Sequence, residues 1–159
     1  IVIGDFTAKI GDPTGRNEAR PKISDEKLES NIIKIEEQVR KILPDAEILF
    51  NSGWLSDLHI LQFLGILNKF TLQQTTERRD FQNRLKDTKK TGNPIWMPEI
   101  FYPFFQGYDS YHLDINMEIG GEDQTFNMNI GRDIQKMFGK KLKHSPYPNQ
   151  IQMNQYLQP

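Results

Sequence analysis

Three short stretches of the chain gather side chains able to do chemistry. The first is Gly11, Asp12, Pro13, Thr14 and Gly15, which follows Gly4, Asp5, Phe6, Thr7 and Ala8. A glycine-rich loop after a strand lets a ligand approach the backbone, and an Asp held in it can bind an ammonium group. The competing reading is a plain turn whose Asp bonds its own backbone. The loop has neither the Gly-Lys-Ser/Thr ending of a P-loop nor the spacing of a dinucleotide fingerprint. The second stretch runs Tyr102, Pro103, Phe104, Phe105, Gln106, Gly107, Tyr108, Asp109. On a helix, Tyr102, Gln106 and Asp109 stand at four- and three-residue spacing and share a face. One phenol, one amide and one carboxylate then converge beside aromatic walls, a set able to hydrogen-bond both ends of a small polar aromatic ligand. A carboxylate facing a ligand hydroxyl discriminates strongly, because a ligand without the hydroxyl leaves a buried polar group unpaired. An amphipathic core helix with a polar edge carries the same pattern. The third stretch is Ile119, Gly120, Gly121, Glu122, Asp123, Gln124. A strand end, two glycines and an acidic helix start occupy the place where open α/β sheets bind ligands. Asp123 can accept from ribose hydroxyls and Gly121 lets a nucleotide come close, whereas an ordinary strand–turn–helix with an Asp cap reads alike.

The elements that must position these residues follow from periodicity. Residues 1–3 are a short apolar run ending at Gly4, the pattern of a buried parallel strand. Residues 4–15 read as loop or turn. A helix is expected from an N-cap at Ser24, with Leu28, Ile32, Ile35, Val39 and Ile42 on one face and Pro44 just past its end. Residues 47–50 read as a second strand. Ser56 is the expected cap of a helix reaching about Lys69, with a broad apolar set (Leu58, Leu61, Phe63, Leu64, Leu67) that is either well buried or at an interface. A third, more polar helix is expected from Thr71 to about Leu85. Residues 86–98, with Gly92, Pro94, Pro98 and three lysines, read as a mobile loop. Residues 99–111 are expected to be helical, and 115–119 a strand stopped by Gly120 and Gly121. Asp123 is the expected cap of a last helix carrying Phe126, Ile130, Ile134 and Met137 on one face, with Gly139 as its stop. Residues 145–159 show no clear period. Strands alternating with helices argue an α/β fold with a mainly parallel sheet.

Composition narrows the function. The chain has 159 residues, 36 % apolar and 26 % charged, with a net charge of -1. No whole-molecule field draws it to nucleic acid or to an anionic membrane. An RNA partner then needs a local patch. Arg78, Arg79, Lys86, Lys89 and Lys90, or residues 136–143, are the candidates, although such runs are usually solvated faces. The absence of cysteine removes disulfides and thiolate metal sites and fits a reducing compartment. No apolar run approaches the ~18–20 residues that span a bilayer. His59, His112 and His144 lack metal-ligand spacing, so no metal site is expected. The chain opens on Ile1, inside what reads as a strand, and is read as a fragment or as a chain that has lost its start.

Taken together, the three stretches are more specific than any one alone. The pattern Gly-Asp-Phe-Thr-Ala-x-Ile-Gly-Asp-Pro-Thr-Gly-Arg over residues 4–16, Tyr-Pro-x-x-Gln-Gly-Tyr-Asp over 102–109 and Gly-Gly-x-Asp-Gln-x-Phe-Asn over 120–127 resembles the class I tyrosyl-tRNA synthetases of bacteria. Smaller pieces, Phe50, Asn51 and Ser52 with Trp54 and Leu55, share the resemblance, which covers about residues 1–139. It implies a partial Rossmann-like catalytic core, with a helical connective and dimerisation region at about residues 55–98 and a poorly matched segment at 140–159. It implies activation of L-tyrosine by ATP, through in-line attack of the tyrosine carboxylate on the α-phosphate, and transfer of the tyrosyl group from the adenylate to tRNA(Tyr). No covalent enzyme intermediate and no tightly bound cofactor are implied; Mg²⁺ travels with ATP, which is a substrate. The implied protein is a cytoplasmic homodimer. Residue by residue, the resemblance places Asp12, Tyr102 and Gln106 at the amino end of tyrosine, Asp109 at its hydroxyl, and Gly121, Asp123 and Gln124 on the ribose and carboxylate side. The family's HIGH- and KMSKS-type phosphate-binding motifs are absent from this chain. Glu122 departs from the family's small residue, and residues 74–76 and 145–159 depart as well. Competing readings are the sister synthetase for tryptophan, which residues 121–124 and 132–134 also suit, and a catalytically dead homologue acting as a binding or dimerisation module.

Overall fold

A computed structural model describes residues 1–10, 23–77, 81–86 and 94–140. Two short strands form the sheet. β1 (Val2–Ile3) pairs in parallel with β2 (Leu49–Phe50), Val2 opposite Leu49 and Ile3 opposite Phe50. Parallel neighbours cannot be joined by a tight turn, and the long helix α2 (Asp25–Ile42) lies in the connection. Its start is fixed by Ser24, whose hydroxyl accepts from the Lys27 N–H at 3.3 Å, and its acidic first turn and basic last turn suit the helix dipole. Leu28 is buried on the apolar face of α2, whereas Ile35 and Ile42 stay 45 % and 79 % exposed among the described residues.

Several expected boundaries move. Residues 5–10, read as loop, form α1 (Asp5–Ile10). The helix starts directly at the strand end, with the Ala8 N–H bonding the Gly4 carbonyl at 2.8 Å. A Cβ at position 4 would run into the Thr7 hydroxyl, which the bare glycine leaves free to bond the Gly4 carbonyl. The loop of residues 11–15 lies outside the described residues. The helix expected from Ser56 to about Lys69 starts four residues later and is shorter. Ser56 closes α3 (Ser52–Leu55), and His59 opens α4 (Ile60–Leu67), its Nδ1 accepting from the Leu61 N–H at 3.3 Å. Of the apolar set, Phe63 is buried, but Leu61 and Leu64 are exposed.

The helix expected over 71–85 is also broken. α5 (Leu72–Thr75) begins with a reciprocal Thr71–Gln74 cap and stops after one turn. Thr75 and Thr76 turn their hydroxyls back onto the Thr71 and Leu72 carbonyls at 3.0 and 2.9 Å, the competition that makes β-branched hydroxyl residues poor helix formers. Residues 81–86 are helical again and are labelled α6. Of the expected 86–98 loop, residues 87–93 lie outside the described residues, and helix has resumed by Met97.

α7 (Met97–His112) carries the Tyr102–Asp109 face and takes Pro98 in its first turn. The expected strand at 115–119 does not form. A strand exists only by pairing, and β1 with β2 is the one pair among the described residues. The ends of the turn are instead tied to helices: Ile115 N–H bonds the Ser110 carbonyl at 3.1 Å, and its carbonyl takes Gln135 Nε2 at 2.9 Å. Asp123 is not a helix cap. It lies in a 3-10 turn (Glu122–Gln124), and Gln124 is the residue that precedes α8 (Thr125–Met137). Gly139, at φ +68°, ends α8 as expected, and the Lys140 N–H reaches back to the Gln135 carbonyl at 3.0 Å.

The core is built by α7 crossing α8 and by the segment after β2. Trp54, Leu55, Phe63, Ile66, Phe104, Tyr108, Ile130 and Ile134 form one buried cluster. The crossing is close because glycines meet there: a Cβ at Gly107 would sit 3.0 Å from the Gly131 backbone nitrogen.

Candidate active site

The site grows from the carboxyl end of the two-stranded sheet. β2 ends at Phe50, and the next residue, Asn51, is fully buried. Its Oδ1 accepts from the Phe6 N–H at 3.0 Å, and its Nδ2 donates to Thr7 Oγ1 at 3.2 Å and to Asp109 Oδ2 at 3.1 Å. One amide therefore ties the start of α1, the end of β2 and the middle of α7 together. Asp5 reinforces the corner, its Oδ1 accepting from the Ser52 N–H at 2.9 Å and the Phe6 N–H at 3.0 Å.

Asp109 brings a second carboxyl group to this junction and is only 8 % exposed. Trp54 Nε1 donates to its Oδ1 at 2.7 Å, while Asn51 holds Oδ2. The indole is itself held, stacked on His112 with ring centroids 5.0 Å apart. Burial pushes the Asp109 carboxyl up to about 6; the Trp54 and Asn51 hydrogen bonds pull the other way, and the Glu118 and Asp5 carboxylates add to the rise. Two neutral donors occupy only part of a carboxylate's four acceptor positions. The remaining lone pairs suit a ligand that brings its own donor, such as a hydroxyl.

Gln106, one turn earlier on α7, takes Asn127 Nδ2 on its Oε1 at 2.9 Å. The same Nδ2 donates to Gln124 Oε1 at 3.0 Å, and Gln124 Nε2 donates to Asp123 Oδ2 at 3.0 Å. The second and third stretches picked out from the sequence are thus one connected site. Tyr102 stands partly buried a further turn back along α7. Gly121 leaves its backbone bare beside the Asp123 carboxylate, whose Oδ1 lies where a Cβ would sit. Asp12 lies outside the described residues.

Four participants, Thr7, Asn51, Trp54 and Asn127, carried no role in the sequence reading. All four lie inside motif segments matched by resemblance, but nothing in local spacing separates a buried polar anchor from a surface one. Asn51 and Trp54 stand 58 and 55 residues before Asp109.

The sequence pattern of the tRNA synthetases class I (W and Y) matches residues 1–159. The chain belongs to this family. Among relatives of this synthetase chain, the tyrosine–tRNA ligases of Carboxydothermus hydrogenoformans and Aquifex aeolicus are each 44 % identical over 143 residues. Each alignment covers 89 % of this chain, but only 34 % and 36 % of the two relatives. The synthetase chain thus spans about a third of the length of the curated relatives it matches. Among solved structures, C-terminally truncated mitochondrial tyrosyl-tRNA synthetases of Aspergillus nidulans and Coccidioides posadasii share its fold. Their TM-scores are 0.65 and 0.68 at 21 % and 24 % identity, covering 93 % and 94 % of this chain and 47 % and 45 % of theirs.

Proposed function

We propose that this chain is the amino-acid-binding part of a tyrosine–tRNA ligase, which activates L-tyrosine with ATP and transfers it to tRNA(Tyr). The observation that carries the reading is Asp109: a buried carboxylate, held by Trp54 and Asn51, with acceptor capacity left for a phenolic hydroxyl. Tryptophan brings no hydroxyl to it. The names of the relatives support the same substrate.

In this reading Asp109 receives the substrate hydroxyl. Tyr102, Gln106 and Asp12 serve the amino end, and Gln124 the carboxylate. Gly121 and Asp123 serve the ribose of ATP, which arrives with its own Mg²⁺. None of these groups is a covalent nucleophile. Rate enhancement comes from holding the tyrosine carboxylate in line with the α-phosphate and from stabilising charge as it develops. The protein is a cytoplasmic homodimer. The exposed apolar side chains of Ile60, Leu61, Leu64, Trp96 and Met97, all in the region expected to dimerise, support the paired state.

The test is amino-acid-dependent ATP–pyrophosphate exchange on the intact protein. Exchange with tyrosine and not with tryptophan is expected, and Asp109→Ala is expected to lower kcat/KM for tyrosine by about 10- to 100-fold or more. Exchange driven equally by tryptophan, or unaffected by the substitution, sinks the assignment.

A further inference from the structure

The side chains of Asp123, Gln124, Asn127 and Gln106 form an unbroken line of hydrogen bonds, and its polarity is dictated from one end. A carboxylate with no proton only accepts, so Asp123 takes the amide nitrogen of Gln124 at 3.0 Å. Gln124 must then show its oxygen to Asn127, which answers with Nδ2 at 3.0 Å. The same Nδ2 carries its second hydrogen to Gln106, which has to meet it with Oε1, at 2.9 Å. Reversing the Gln124 or the Asn127 amide breaks two bonds, and reversing Gln106 breaks one. The pivot of the line, Asn127, is fully buried where α8 starts against α7, and its own Oδ1 has no hydrogen-bond partner. A buried acceptor left unpaired is costly. Gln135, two turns further along the same helix and also buried, spends its Nε2 on the Ser110 and Ile115 carbonyls, a structural use. Asn127 instead directs its donor atom to two side chains that the sequence reading places in the site.

We propose that Asn127 is a positioning residue that couples the orientation of the Gln106 amide to Asp123 through Gln124. The inference rests on the functional reading above. It assigns Asn127 no contact with substrate. With its oxygen committed to Asn127, Gln106 keeps its NH₂ group and one carbonyl lone pair for other partners. Because the line ends on the residue expected to meet the ribose, the amino-acid and nucleotide ends of the site share one fixed set of donors and acceptors. A ribose hydroxyl that donates to Asp123 leaves the carboxylate an acceptor and leaves the line intact.

Exchange kinetics on the intact protein test the coupling. Gln106→Ala, Gln124→Ala and the double variant are compared in the native background and again with Asn127→Ala. Asn127→Ser, too short to reach either glutamine, is the second choice should the alanine variant not fold, and thermal midpoints are recorded for all. In the native background the effects of the two glutamine changes on the tyrosine KM are expected to be interdependent by about fivefold or more, and to multiply within about twofold once Asn127 is replaced. Asn127→Ala alone is expected to raise the tyrosine KM more than it lowers kcat. A merely structural role would leave the interdependence in place. Glutamine effects that already multiply in the native protein, or an interdependence that survives loss of Asn127, overturn the proposal while the tyrosine reading stands. Absence of any tyrosine-dependent exchange by the native protein overturns that reading and the role of Asn127 with it.

Discussion

Asp109 is the residue whose chemistry depends most on its surroundings. Its carboxyl titrates at about 6 because burial outweighs the donors that Trp54 and Asn51 supply. If the phenolic hydroxyl of a ligand donates to it, the ionised form is the one that binds. Tyrosine affinity is then expected to rise as pH increases through about 6 and to level off above it. Equilibrium dialysis from pH 5 to 8 checks this, with Asp109→Asn giving a flat and weaker profile. Stability runs in the opposite direction. The native pKa lies above the ordinary value of 3.8, so between the two the native state holds a proton that the unfolded chain has lost. This contribution is fully present below about 4 and is lost as pH rises through 6. Relative to Asp109→Asn, the native protein is expected to lose on the order of 2 kcal/mol between pH 4 and 7, read from urea denaturation at both ends. The Tyr102, Gln106 and Asp109 face was legible in the sequence because helical spacing is a local property. The donors Asn51 and Trp54 were not, because they stand 58 and 55 residues earlier in the chain and meet Asp109 only through the fold.

At the scale of elements, two devices hold α7 in place. The first is its close approach to α8. A Cβ on Gly131 would meet Ser110 Oγ at 2.9 Å, so Gly131→Ala is expected to force the helices apart and to cost about 1–3 kcal/mol, seen as a lowered thermal midpoint. The second is the paired contact of Arg84 on α6 with Glu99 in the first turn of α7, at 2.6 and 2.9 Å, which also draws in the Pro94 carbonyl. Both side chains are about nine-tenths buried. Removing one partner strands the other, so Glu99→Leu is expected to cost roughly 3–5 kcal/mol, and Arg84→Met combined with Glu99→Leu to recover much of that loss. Denaturant midpoints of the two variants decide it.

The same scale shows where sequence patterns stop being informative. Ser24 and Gly139 were found because caps are written in one or two residues. The helix after Gly4 was missed because glycine and aspartate read as turn, yet here Gly4 supplies room and Asp5 and Thr7 supply local bonds that start a helix. Residues 115–119 have strand composition, but composition cannot provide the neighbouring strand that pairing needs.

At the scale of the molecule, some helices that build the core also leave large apolar side chains bare among the described residues. Leu61 and Leu64 on α4 are 69 % and 45 % exposed, and Met97 at the start of α7 is 59 % exposed, although α4 and α7 also furnish the core through Phe63, Ile66 and Phe104. Such helices are solvated on the wrong side unless another surface meets them. The intact protein is expected to sediment as a dimer, and Leu61→Asp with Leu64→Asp as a monomer; a dimer unaffected by both charges places the contact elsewhere. The sequence reading of this region left core and interface open; the structure turns Phe63 into the core and leaves Leu61 and Leu64 exposed.

The stacking of Trp54 on His112, with its N–H bonded to Asp109, has an optical consequence. The chain contains two tryptophans, and they differ sharply in setting: Trp54 is 9 % exposed and donates to the carboxylate of the site, while Trp96 is 49 % exposed at the start of α7. The buried indole emits at shorter wavelength than the solvated one, and its intensity responds to the charge on its hydrogen-bond acceptor and to its imidazole neighbour. Occupancy and protonation of the site can therefore be followed as a change in the blue edge of the intrinsic emission, without label or coupled assay.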